Sequence, residues 1–263
     1  LEGPIFNDTD IGSYLIYYLH PMEKVFSDNR FGDAYSASFF SNIYNPMIKD
    51  ENKWKEGLEK YNFNTIFFYQ YDGGDDIREF LFRRFYDPEW VLVYADTYNV
   101  IFVRNTTRNE YVINKFGIDL TNMTERLGFL LNSNDPADYL AAADIYSLFG
   151  LVDLARNQYL RFVSEVPTRG KVWMVLGRME LTRSDQENSN PYLAAIFLEK
   201  SLANSWITTE SLSYLALAYY RTGQIERTKE MVRRELEIDP ENADGKKWLR
   251  ILDEEEKIKN EGK

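Results

Sequence analysis

The chain has 263 residues, with 31 Lys and Arg against 42 Asp and Glu, for a formal net charge of −11. Its 44% hydrophobic and 28% charged content belongs to a folded protein and excludes disorder, collagen or a coiled-coil rod, while the negative balance argues against nucleic acid or anionic lipid as partners. With no cysteine and a single histidine, His20, disulfide frameworks, thiolate or histidine zinc sites, cysteine nucleophiles and histidine triads fall away, and neither metal nor cofactor is expected.

No apolar run approaches the roughly 18 residues needed to cross a bilayer. Aromatic residues crowd into the first 120 positions, which also differ from the remainder in periodicity, so two domains are expected. Residues 4–7 read as a strand, and Asp8 or Asp10 is placed to cap a helix over 11–19 that Pro21 follows. Residues 24–27 read as a second strand. Residues 35–44 and 52–61 have helical spacing, the latter with Trp54, Leu58 and Tyr61 on one face, and 64–70 is an aromatic-rich strand. The run Asp72-Gly73-Gly74-Asp75-Asp76 lacks the acidic alternation and distal Glu of a calcium loop. It reads as a turn in which Asp75 or Asp76 caps a helix ending near Phe85, with Ile77, Phe80, Leu81 and Arg84 on a shared face. Residues 90–94 and 99–104 form a hairpin. This order predicts an α/β sandwich over residues 1–118: a mixed sheet with parallel central strands, an antiparallel final hairpin, and helices on both faces.

From Thr121 the strand signals stop and a repeat begins. In residues 210–240, Leu212, Leu215, Ala216, Tyr219, Gly223, Ile225, Val232, Leu236 and Pro240 fit the tetratricopeptide (TPR) spacing, whose period is about 34 residues. Thr228 and Glu235 stand where that repeat has small residues. The same frame on 136–167 aligns Tyr139, Ala142, Ala143, Tyr146, Gly150, Val152, Ala155 and Tyr159. Between them Trp173, Leu176 and Gly177 open a third copy that Ala194, Leu198, Ser201 and Leu202 complete, with extra residues around 184–191. Residues 243–256 supply a closing helix with Trp248, Leu249 and Leu252 inward, as a stack of repeats needs at its end. The expectation is an all-α TPR-type domain over 121–258 with a charged tail over 259–263.

Two groups of residues are candidates for binding. Asn7, Asp8 and Asp10 follow the first strand and Asp28, Asn29 and Arg30 the second, at strand ends where α/β sheets commonly bind ligands. Together they suit sugar hydroxyls or a cation, and the plainer alternative is a helix cap beside an Asp28–Arg30 pair. On the repeats, the first helix of each pair places Asp144, Lys171, Arg178, Tyr220 and Arg221 on the groove expected to receive a protein or peptide. Arg178 and Arg221 are candidates to clamp a carboxylate or acidic peptide there. Asp75, Asp76 and Glu79 can also be read as paired carboxylates for glycoside hydrolysis, and His20 reads as a helix-end residue. Asn7, Asn105 and Asn122 each open a glycosylation sequon, a pattern short enough to arise by chance.

The segment 3–30 resembles the start of the C-terminal extracytoplasmic domain of polytopic GT-C type membrane glycosyltransferases, relatives of the protein O-mannosyltransferases. The resemblance is carried by Ile5-Phe6-Asn7, Gly12, Tyr14-Leu15-Ile16, Pro21, Lys24-Val25-Phe26, Asp28 and Arg30, and continues through Trp90, Val93-Tyr94, Asp96, Val100, Phe102 and Arg104. Asn29 departs from a usual glycine and Ser27 from a usual apolar residue. The resemblance implies a polyprenyl-phosphate-sugar transferase whose catalytic acid lies on a loop outside this chain, so the chain itself contributes no catalytic residue. It further implies an extracytoplasmic location, tethered by membrane helices preceding Leu1, and a glycan or polyprenyl-linked acceptor for the full-length protein. A TPR interaction scaffold unrelated to glycosyl transfer is the alternative, and a soluble carboxylate-dependent glycosidase ranks last.

Overall fold

The computed structural model describes residues 2–30, 33–69, 74–182 and 189–261, with side chains through Glu254. The chain forms two compact units, Leu1–Ala155 and Arg156–Lys263. In the first, β1 (Ile5–Asn7), α1 (Gly12–Leu19), α2 (Ala37–Phe39), α3 (Asn45–Lys49), α4 (Glu51–Tyr61), β2 (Thr65–Tyr69), α5 (Gly74–Tyr86), β3 (Trp90–Ala95) and β4 (Asn99–Arg104) follow one another. The four strands make one mixed sheet in the order β1-β2-β4-β3. Only β1 and β2 run parallel, and β4 inserts between β2 and β3. The expected parallel centre is therefore corrected: the central pair is antiparallel, and the parallel pair lies at one edge.

The strand expected over 24–27 reduces to a single bridge between Ile5 and Val25. Its backbone is occupied instead by the buried Asn7 side chain, whose Oδ1 accepts from Phe26 N at 2.8 Å while Nδ2 donates to the Ser27 carbonyl at 2.8 Å. An amide side chain has thus taken the place of a strand ladder. The helix expected over 35–44 is also interrupted: a wide π-helical turn, Phe40–Tyr44, separates α2 from α3. Pro46 in the first turn of α3 has no N–H to offer the preceding turn, and the backbone widens before it.

Helices lie against both faces of the sheet. On one face the Phe6 ring lies 5.1 to 5.7 Å from the rings of Phe63, Phe68, Trp54 on α4 and Phe80 on α5. On the other, Ile5 and Phe67 meet Leu15 of α1 and Ile11, which precedes it. Arg84 is inside this core, its guanidinium 5.0 Å from the Trp54 ring and its Nη2 donating to Glu51 at 2.6 Å, so the helical face that contained an arginine does bury it.

Past the hairpin come α6 (Glu110–Phe116), α7 (Met123–Arg126), α8 (Gly128–Leu131) and α9 (Pro136–Leu148). Phe149, directly after α9, stacks on Phe85 of α5 at 4.3 Å, and the Tyr86 hydroxyl donates to its carbonyl at 2.9 Å. The compact unit thus continues past residue 118 and takes in the first repeat helix.

α10 (Val152–Glu165) carries the chain across the division into the second unit. There α11 (Gly170–Thr182) pairs with α12 (Pro191–Ala203), α13 (Thr209–Arg221) pairs with α14 (Ile225–Ile238), and α15 (Ala243–Glu261) packs on α14. These are consecutive helix hairpins, the helical repeat array expected from residue 121. Gly177 lets α11 approach α12, because a Cβ there would lie 2.5 Å from Leu198 Cγ. Gly223, at φ +74°, provides the left-handed reversal into α14. Leu212, Leu215, Ala216 and Tyr219 of α13 form a core with Ala194 and Leu198 of α12 and Met231 and Val232 of α14. The closing helix runs on to Glu261, which corrects the tail expected from 259. Of the extra residues in the third copy, 184–188 lie outside the described residues.

Candidate functional site

The six polar residues of the first unit separate into distinct roles. Asn7 is fully buried; besides its bonds to residues 26 and 27, its carbonyl accepts from the Tyr44 hydroxyl at 3.0 Å. It is a structural pin, and its burial removes the first sequon from the surface. Asp8, also buried, accepts from the Asp10 amide at 2.9 Å in a local turn, and Ile11, with no side-chain cap, stands at the N-cap of α1. The expected capping by Asp8 or Asp10 is corrected accordingly. Gly12 explains the tight entry to that helix: a Cβ would collide with the Ser27 carbonyl oxygen and lie 2.6 Å from Asp28 Cα. Ser27, the apolar position of the resemblance, is buried with its hydroxyl 3.1 Å from that of Thr9.

Asp28 and Arg30 do come together. Arg30 Nε and Nη2 donate to Asp28 Oδ1 and Oδ2 at 2.8 and 2.7 Å, the Arg30 amide adds a bond at 3.0 Å, and the Tyr35 hydroxyl donates at 2.9 Å. The Arg30 bonds hold the Asp28 carboxyl down at about 2 against the opposing effect of burial. At neutral pH it is an ionised, saturated acceptor and has no proton to give. Its one chemical product is an oriented, exposed Arg30 at the rim of a recess of about 650 Å³ that Ser13, His20, Lys24 and Tyr35 also line. Asn29 accepts from Ser13 at 2.6 Å at the surface. Sequence reading missed Tyr35 and Tyr44, whose approach depends on how the 35–44 segment folds back.

The glycosidase candidates stand on the outer side of α5, where Asp76 pairs with Lys49 at 2.7 Å and Glu79 with Arg83 at 2.6 Å. Tyr71 to Gly73, including the start of the Asp72 turn, lie outside the described residues. Asp75 and Asp76 occupy the first turn of α5, which begins at Gly74. No group of three or more His, Asp or Glu side chains is placed to hold a metal ion among the described residues, and no described helix is long and apolar enough to cross a membrane.

Asp144 is half-buried on α9 in the first unit. The other four groove residues share the second unit on α11 and α13, which touch each other. Lys171 is exposed, with Nζ 6.0 Å from the Trp206 ring. Arg178 pairs with Glu210 across the two helices at 3.3 Å, and Arg221 donates through Nη1 to the Leu181 carbonyl at 2.8 Å, satisfying the end of α11. Tyr220, 40% exposed, has its ring 5.5 Å from Trp248 on α15. Both arginines proposed as anion clamps are therefore already engaged.

Next to Tyr220 the same face opens into a cavity of about 230 Å³ between α13, α14 and α15. Leu217, Val232 and Trp248 make its apolar wall, and Glu235 lies in its lining. Glu235 is buried, its Oε1 accepting from Ser213 Oγ at 2.6 Å and Asn242 Nδ2 at 2.8 Å. Sequence reading noted this glutamate only as a departure from the small residue of the repeat, and that departure was the signal of the cavity.

No protein-family model matches the sequence, and no curated protein matches it. Among solved structures the chain is similar to a crystal structure of MamA at 15% identity, covering 60% of this chain and 90% of that one with a TM-score of 0.46. It is similar to the first TPR of Spaghetti (RPAP3) bound to an HSP90 peptide at 17% identity, covering 46% and 93% with a TM-score of 0.40. A further MamA structure gives 17% identity and a TM-score of 0.40, with 44% of this chain spanning 61% of that one. At this distance the repeat architecture rests on the chain's own helix hairpins.

Proposed function

We propose that the chain is a protein-interaction scaffold whose binding face is formed by α11, α13 and α15. The supporting observation is that the consensus residues of the repeats are consumed in the core, while Lys171 and Tyr220 remain exposed on adjoining first helices, beside the engaged Arg178 and Arg221. Stacked repeats leave such a face continuous and exposed, and basic and aromatic side chains supply directional bonds and contact area there. The test is capture of a partner with the whole chain, then affinity measurement on Lys171→Glu and Tyr220→Ala at matched thermal stability. A loss of tenfold or more in either supports the face; unchanged affinity in both rejects it.

A finer reading takes the chain as the extracytoplasmic part of a membrane glycosyltransferase-like protein, with the whole protein using a glycan or polyprenyl-linked acceptor. It is favoured by the way Asn7 and Gly12, near one end of the 3–30 segment, pack against residues 27 and 28, near its other end, where Asp28 in turn orients Arg30. The gene sequence upstream of Leu1 decides it: many hydrophobic spans with an acidic residue in the first external loop support the reading, and a soluble upstream region overturns it.

A further inference from the structure

We propose that the cavity between α13, α14 and α15 receives a single lysine or arginine side chain of a partner protein, its apolar stem against Leu217, Val232 and Trp248 and its cationic head on Glu235. This names the chemistry of the partner expected under the interaction-scaffold reading and rests on that reading. A carboxylate taken out of water must be matched by charge or by several hydrogen bonds, since burial penalises the charged form. Glu235 is 6% exposed, and both of its bonds come from neutral donors and converge on Oε1; among the described residues no cation pairs with it and none donates to Oε2, which keeps its access to solvent where Glu235 lines the cavity.

Lys229, equally buried on α14, is answered by Asp253 of α15 at 2.8 Å, and Glu180 of α11 is answered by Arg156. Among the described residues of this unit, Glu235 is the buried carboxylate that faces a cavity in place of a cation.

The space fits the occupant. About 230 Å³ with a mostly apolar wall admits one long side chain and is too small for a helix. The lining holds no Lys or Arg, the exposed Asp244 stands at the rim, and Trp248 and Tyr214 offer aromatic surface of the kind that attracts cations. A net charge of −11 over the whole chain favours a basic partner over an acidic one. The arginines that would have answered an acidic peptide are spent on Glu210 and the Leu181 carbonyl. The cavity, which adjoins the residues read from sequence as a carboxylate clamp, is therefore assigned the opposite charge preference from them.

The probes are Nα-acetyl-lysine amide and Nα-acetyl-arginine amide, with the norleucine analogue as an uncharged mimic of the lysine stem and the glutamate analogue as an anionic control. They are titrated into the whole chain while the Trp248 indole N–H is followed by NMR. At least one cationic probe should shift that resonance saturably, with the norleucine and glutamate analogues at least tenfold weaker. Glu235→Gln retains an oxygen for Ser213 and Asn242, so it should fold, and it should bring the cationic probe to the level of norleucine. Asp244→Lys, at an exposed position, should weaken the cationic probe several-fold without affecting the fold. No saturable shift with either cation, equal binding of norleucine, or indifference to both substitutions would overturn the proposal. A captured partner that responds to Lys171→Glu or Tyr220→Ala but not to Glu235→Gln leaves the scaffold reading standing and removes this cavity from it.

Discussion

Asp28 accepts from the Arg30 guanidinium, the Arg30 amide and the Tyr35 hydroxyl, and these bonds keep its carboxyl at about 2, below the ordinary carboxylate value near 4. A depressed carboxyl stabilises the folded state fully above its unfolded value, and that contribution is lost as pH falls from about 4 through about 2. Arg30 is 63% exposed, so solvent screens the pair, and the expected contribution of the Asp28 carboxylate is about 1 kcal/mol rather than the full equivalent of the shift. Asp28→Asn should therefore be less stable than the parent by about that amount at pH 7 and indistinguishable from it near pH 2. Urea unfolding at both pH values measures this; a deficit that persists unchanged in acid would mean that packing, and not charge, sets the role of Asp28.

Helices of the repeat unit are specified both at their ends and at their crossings, and substitutions at the two kinds of position should differ in mechanism. Thr208 and Ser211 form a reciprocal cap at the start of α13, with Thr208 Oγ1 accepting from the Ser211 amide at 3.1 Å and Ser211 Oγ accepting from the Thr208 amide at 2.9 Å. Thr208→Ala should cost about 1 kcal/mol. Gly177 lies inside α11, where alanine would gain about 1 kcal/mol of helix propensity. The added methyl would press on the fully buried Leu198, and overpacking of this kind costs about 1–3 kcal/mol, so the net effect of Gly177→Ala should be a loss. Chemical denaturation of each variant decides; a more stable Gly177→Ala would contradict the close approach of α11 and α12.

At the scale of the chain, the first unit needs more than its sheet. Met123, Leu127 and Leu130 are buried in it, and Phe149 is fully buried against Phe85, so the segment after residue 118 contributes to the same core. Removing one buried phenylalanine costs about 3–5 kcal/mol, a large share of the roughly 5–15 kcal/mol that holds a typical domain together. A chain ending at residue 155 should give a cooperative thermal transition, whereas one ending at residue 120 should lose near-ultraviolet ellipticity and melt broadly. Equal cooperativity in the two would place the boundary of the unit at the end of the strands.

The sequence alone determined those features that depend on local spacing. The hairpin at 90–104, the helix over 74–86 and the helix pairs after residue 121 were legible because apolar residues recur with the period of the element, and Gly177 and Gly223 marked a crossing and a reversal that few other residues permit. What only the tertiary structure decided was partnership. Residues 24–27 have the composition of a strand, but the Asn7 side chain claims their backbone from a distance in sequence that no local pattern encodes. Asp28 and Arg30 suggested an ion pair at sight, while the contribution of Tyr35 required the fold. Arg178 and Arg221 were recognisable as surface cations, yet whether a surface cation is available depends on what stands opposite, and here Glu210 and the Leu181 carbonyl do. Glu235 was visible only as a misfit in its repeat. Periodicity says which side of a helix faces inward, but whether a buried charge meets a partner or an open cavity depends on three helices brought together, and that is settled by packing.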